Sequence, residues 1–159
     1  MKDPADLLGR RLKERGWTIS VAESCTAGGL GSRITEVAGA SSYFVGGVIA
    51  YQNRAKERLL AVPPSLISRF GAVSEEVALA MAEGCKAAFG TDIAIGITGI
   101  AGPGGGTPDK PVGLVYIALA GPNGSECRRF RFDGDRREVR NAAVEAGLGM
   151  VLSLLERTA

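Results

Sequence analysis

Histidine is absent from this sequence. That removes Ser-His-Asp and Cys-His catalysis, imidazole metal sites and a histidine base. Any acid–base step falls to Lys, Tyr, Cys or a carboxylate. Four stretches carry groups able to do such work. In Glu23-Ser24-Cys25-Thr26-Ala27-Gly28-Gly29, hydroxyls and small residues stand where a strand hands over to a helix. Ligands bind at that end of the strands in open α/β sheets. N–H groups of a first helical turn hold a phosphate or a developing oxyanion. An ordinary N-cap with tightly packed glycines uses the same residues. Cys25, beside a helix N-terminus, is a second candidate nucleophile, although small-residue packing explains it as well. Glu23 is either a carboxylate base or a cap for local backbone groups.

In Tyr51-Gln52-Asn53-Arg54-Ala55-Lys56, Tyr51 closes a strand and Lys56 falls in the first turn of the next helix. A cation at the positive helix end is disfavoured, so its pKa drops from the reference of about 10.4. Lys56 is therefore a candidate base able to activate a serine. The plain alternative is a solvated lysine and a core tyrosine. The spacing is one residue longer than the Tyr-x-x-x-Lys of short-chain dehydrogenases, and no GxGxxG follows the first strand. The third stretch, Thr98 to Gly106, has five glycines in nine residues directly after a strand, which permits close backbone approach to a ligand. The fourth carries Arg128, Arg129, Arg131, Arg136, Arg137 and Arg140 against Glu126, Asp133, Asp135 and Glu138. One arginine of Gly134-Asp135-Arg136 could reach a ligand phosphate from a helix start; a charged edge strand resisting aggregation is the other reading.

The scaffold for these stretches follows from composition and periodicity. The chain has 159 residues, 45% hydrophobic and 23% charged, the balance of one globular domain with a real core. Its 23 glycines are about twice the usual ~7%. A net charge of +2 and few aromatics argue against nucleic-acid binding. Cys25, Cys85 and Cys127 form no CxxC, which disfavours a disulfide framework or zinc site and fits a reducing cytoplasm. No apolar run reaches the ~18 residues of a membrane span, and the charged start reads as a helix entry rather than a signal peptide.

Helices are expected over residues 4–15, from the Ser24 turn through Val37, from an Asn53 cap to Leu60, to about Phe70, from a Ser74 cap to Phe89, and after an Asp135–Glu138 capping box. Strands are expected over 17–22, 46–51, 93–98, 112–120 and 125–132. Ile93, Ile95 and Ile97 alternate with Ala94, Gly96 and Thr98, giving one small face. Strands alternating with helices predict a layered α/β fold with one hairpin in an otherwise parallel sheet.

Together these stretches resemble the CinA C-terminal domain family, the nicotinamide-nucleotide amidases. The matching pieces are Ala22 to Thr26, Tyr51-x-Asn53-x-x-Lys56, Gly71 to Glu75, Thr98 to Gly106, Lys110 to Gly113 and Gly134-Asp135-Arg136, in family order over nearly the whole chain. Ala27 stands where glycine is common, and Gln52 and Arg54 replace the usual Ser and Glu. The resemblance implies a single domain over residues 1–159, a three-layer α/β/α sandwich around a mixed, mostly parallel sheet of about five strands, and a homodimer. It implies hydrolysis of the carboxamide of nicotinamide mononucleotide to nicotinate mononucleotide and ammonia, in pyridine-nucleotide salvage, with no cofactor and no metal. A Ser/Tyr/Lys arrangement would fall on Ser24, Tyr51 and Lys56, with Thr26 as the fallback nucleophile. Glu23, Thr26, Gly28, Asn53, Thr98, Gly99, Gly102, Gly104 and Arg136 would hold the nucleotide. The competing class is a non-catalytic nucleotide-binding or competence-related regulatory module built on the same pocket.

Overall fold

The computed structural model describes residues 2–158. The helices are α1 (Pro4–Arg15), α2 (Gly29–Thr35), α3 (Asn53–Leu60), α4 (Pro64–Phe70), α5 (Glu75–Phe89) and α6 (Arg136–Arg157). The strands are β1 (Ile19–Glu23), β2 (Phe44–Ile49), β3 (Ile93–Gly99), β4 (Leu114–Gly121) and β5 (Gly124–Arg131). Ser74 caps α5 by accepting from the Val77 N–H, and Asp135 with Glu138 forms the reciprocal capping box of α6. Pro64 opens α4 in its first turn, where a missing N–H costs nothing.

Two helix starts differ from expectation. The chain does not run from Ser24 directly into a helix: Ser24 to Gly28 folds as consecutive tight turns, α2 begins at Gly29, and Val37 lies beyond its end. Gln52, not Asn53, is the flanking residue of α3, and Asn53 is the first helical residue.

The strands form one sheet in the order β2-β1-β3-β4-β5. β1 pairs in parallel with both β2 and β3, while β4 is antiparallel to β3 and to β5. Only β4 therefore runs against the others. Helices cover both faces. α1, α2 and α6 pack with Ile19, Val21, Ile93, Ile95 and Ile97 in the larger core, whereas α3, α4 and α5 cover Ala22, Ala94 and Val48 on the opposite face. The small face of β3 is needed for this: a Cβ on Gly96 would lie 2.6 Å from the Ala78 carbonyl oxygen of α5. No described helix is long and apolar enough to cross a membrane.

This topology gathers the chemistry-bearing stretches. β1, β2, β3 and β5 share a direction, so their carboxyl ends lie along one edge of the sheet. That edge delivers Ser24 after β1, Tyr51 after β2, the glycine-rich loop after β3, and the start of α6 after β5. The reversed β4 begins there and closes the glycine-rich loop, with Ile100 N–H donating to Leu114 O and Gly113 N–H to Ile100 O.

Candidate active site

Lys56 is the unusual residue of the molecule. It is 1% exposed, because its place in α3 turns it under the carboxyl ends of β1 and β2. Its Nζ donates to Ser24 Oγ at 3.0 Å, to Ala50 O at 2.9 Å and to Tyr51 O at 2.9 Å. No carboxylate pairs with it among the described residues. Burial without a counter-charge penalises the ammonium form, and desolvation pulls the Lys56 pKa below its ordinary value. The cause is thus burial of the whole side chain more than the helix end anticipated from sequence.

Ser24 sits at the first position after β1, its N–H donating to Ile97 O of β3 at 3.0 Å. Its Oγ also lies 3.4 Å from Tyr51 O, a long contact for an O–H donor. Ser24 and Lys56 line a hollow of about 180 Å³ together with Cys25, Tyr51, Asn53, Ala72, Val73, Thr98, Gly99, Ala101 and Arg136. Of the residues expected to form the site, Ser24, Tyr51, Asn53, Lys56, Thr98, Gly99 and Arg136 therefore come together. Thr98 Oγ1 donates to Ala72 O at 2.8 Å and so fixes the wall contributed by the segment before α5. Gly99 admits no side chain: a Cβ there would stand 2.7 Å from Val115 and 3.1 Å from Cys25 Sγ.

Tyr51 enters the site through two different groups. Its phenol is turned outward, 54% exposed, and accepts from Arg136 Nη2 at 2.9 Å; the part of Tyr51 that touches Lys56 is its backbone carbonyl. Arg136 also donates through Nη1 to Gly102 O at 2.9 Å. Gly102 thus meets the site through Arg136, not by lining it, and Gly104 is exposed with open space around its Cα.

Glu23, Thr26 and Gly28 lie outside the hollow. The Glu23 carboxylate is buried and accepts from Leu30 N–H at 2.8 Å and Gly31 N–H at 3.0 Å. It satisfies orphan donors at the start of α2 and makes no hydrogen bond to Lys56. Thr26 Oγ1 is buried without a hydrogen-bond partner among the described residues. Thr26 lines a second hollow of about 390 Å³ beyond Arg136, with Gly29, Arg137, Arg140, Asn141 and Val144. Cys25 lines the same hollow as Ser24 and Lys56, yet burial pushes its thiol up to about 11, which keeps it protonated and weakly nucleophilic at neutral pH.

Sequence reasoning missed Ala72, Val73 and Ala101 as walls, since apolar residues carry no chemical signal. It also missed the two carbonyls that cradle Lys56. A lysine four residues before Leu60 on the apolar side of α3 was the available hint of burial.

The fold and the site define an α/β/α protein with a serine–lysine pair at the carboxyl edge of its sheet. The chain belongs to the CinA C-terminal domain family, whose profile matches residues 1–155. It is 51% identical over 150 residues to a CinA-like protein of Geobacter sp. (strain M21), covering 94% of this chain and 36% of that protein. The chain spans about a third of the length of the curated relatives it matches. Among solved structures it resembles the competence/damage inducible protein CihA from Agrobacterium tumefaciens, with TM-score 0.90, 39% identity and 97% of each chain covered. A CinA superfamily protein from Klebsiella pneumoniae gives TM-score 0.92 at 33% identity, with 98% of this chain and 99% of that chain covered.

Proposed function

We propose that this protein is an amidohydrolase that removes ammonia from the carboxamide of nicotinamide mononucleotide. The observation that carries the reading is a buried lysine with no acidic partner among the described residues, 3.0 Å from a serine hydroxyl in a strand-edge hollow. A neutral lysine has two N–H donors and one lone pair. The carbonyls of Ala50 and Tyr51 occupy the two donors, and the lone pair is left for the Ser24 proton.

In the proposed reaction, Ser24 Oγ bonds to the amide carbon as its proton passes to Lys56. N–H groups beside Ser24 or in the 99–102 turn stabilise the oxyanion. Lys56 then returns the proton to the amide nitrogen, the C–N bond breaks and ammonia leaves. Water, deprotonated by the same lysine, attacks the acyl-serine and frees nicotinate mononucleotide and Ser24. Arg136, steadied by the Tyr51 phenol and Gly102 O, faces the outer end of the hollow and holds the 5′-phosphate. A mononucleotide is larger than the inner hollow, so its phosphate end extends past Arg136 toward the second one. The family resemblance adds a homodimer to this proposal. Strand β2 is its candidate surface, an uncharged sheet edge with Val45 and Ile49 exposed; sedimentation equilibrium tests it.

Purified protein should release ammonia from nicotinamide mononucleotide in the presence of a chelator. Folded protein that binds the nucleotide but releases no ammonia above a protein-free control would instead be a nucleotide-binding module.

A further inference from the structure

α6 does more than supply Arg136. One helical turn on, and on the same face, Arg140 donates through Nε to Cys25 O at 3.0 Å and through Nη2 to Thr26 O at 3.3 Å. These are the carbonyls of the two residues that follow Ser24. No carboxylate pairs with Arg140 among the described residues, so its half-buried guanidinium is committed to this backbone.

The segment needs an external hold. Ser24 to Gly28 belongs to neither strand nor helix. It is folded by Ala27 N–H donating to Ser24 O at 3.1 Å and Gly29 N–H to Thr26 O at 2.9 Å. Ala27 has φ +46°, a left-handed conformation that a residue with a Cβ adopts only when its surroundings enforce it. Each peptide unit is planar and trans, so fixing the Cys25 and Thr26 carbonyls fixes the planes of the two peptide units that follow them. A planar guanidinium spans two adjacent carbonyls, whereas an ammonium is a point donor on a flexible stem.

We propose that Arg140 is a positioning residue: it locks the turn after β1 and thereby holds Ser24 Oγ at attacking distance from Lys56 and the substrate carbonyl. This rests on the reading of Ser24 as the nucleophile. Arg136 and Arg140 then divide the work of one helix face, Arg136 holding the loop after β3 and Arg140 the loop after β1.

The test uses Arg140→Ala and Arg140→Lys, with two readouts. With nicotinamide mononucleotide, kcat should fall about 10- to 100-fold, since an ångström-scale misplacement costs about that much, while KM stays within about twofold. Added methylguanidinium should restore kcat in Arg140→Ala. A rise in KM with kcat unchanged would make Arg140 a substrate contact and overturn the proposal, as would wild-type kinetics in either variant. The second readout needs no amidase activity: phosphonylation of Ser24 by an alkyl fluorophosphonate, followed by intact mass. In that step the Ser24 Oγ–P bond forms, the P–F bond breaks, fluoride leaves and the proton passes to Lys56. Folded Arg140→Lys should label about 10-fold or more slowly than wild type. Equal labelling rates sink the positioning role alone; a wild type that never labels at Ser24 sinks the reading of Ser24 as nucleophile.

Discussion

The two loops that meet at the site are built in opposite ways. The turn after β1 is short and buried: Ser24, Cys25 and Thr26 are all less than a tenth exposed, and all three carbonyls accept hydrogen bonds or lie against donors. The loop after β3 runs from Ile100 to Gly113, exposed from Pro103 through Asp109. It is tied down at a few points, with Arg136 on Gly102 O and Lys110 on Phe70 O among them. On the proposed reading Ser24 is the nucleophile, and a nucleophile needs placement to a fraction of an ångström, which a turn braced in this way can supply. The glycine-rich loop is left conformational freedom between its few ties, which suits the proposed role of receiving a nucleotide. The first loop should therefore be intolerant of change and the second forgiving.

The largest effects belong at the braced end. Lys56→Met and Ser24→Ala should each lower kcat by about 10²- to 10⁴-fold with the fold intact, measured as ammonia release alongside circular dichroism. Substantial turnover in Ser24→Ala would remove the covalent step. Wild-type activity should rise with pH as Lys56, its pKa lowered by burial, loses its proton. The same shift acts on stability. Between the folded and the unfolded pKa of Lys56, the unfolded chain binds a proton that the folded chain does not, so stability rises with pH across that window. Lys56→Met lacks this rise. The melting temperature of wild type relative to Lys56→Met should therefore climb with pH across that window, and a difference independent of pH would mean that Lys56 is not shifted.

At the junction of the two loops the expected effect is intermediate. Arg136→Ala should lower kcat/KM for nicotinamide mononucleotide about 10- to 100-fold, as a charge-assisted hydrogen bond is worth ~1.5–3 kcal/mol. Nicotinamide riboside, which lacks the phosphate, should be a poor substrate, little affected by the same change. Equal losses on both substrates would reduce Arg136 to a brace for Tyr51 and Gly102.

The smallest effect belongs at the open end. A Cβ on Gly104 meets nothing within 4 Å, so Gly104→Ala should leave the melting temperature unchanged and alter kcat/KM less than about threefold. A loss as large as that of Arg136→Ala would mean that this loop too is held tightly once a nucleotide is bound.

Two helix caps were legible in the sequence because a cap is local: Ser74, and Asp135 with Glu138, bond to N–H groups three residues away, whereas the expected Asn53 cap was not formed. The small face of β3 was legible from alternation alone. Residue type and place at element boundaries made the Ser24 turn, Lys56 and Arg136 candidates, and the family resemblance is what singled out Ser24 among the hydroxyls.

Burial and partnership across the fold were not legible. Lys56 reads as a surface cation until the sheet order sets β1 beside β2 and closes the two strand ends over it. Glu23 reads equally as a base or as a cap for local backbone groups until α2, beginning at Gly29, presents its N–H groups to the carboxylate. Tyr51 reads as a core residue or as one member of a Ser/Tyr/Lys arrangement until its phenol turns to an arginine 85 residues away. Periodicity and capping depend on residues within a turn or two of each other, and a single sequence displays them. Desolvation and hydrogen bonding between distant segments depend on which strands become neighbours, and only the folded sheet decides that.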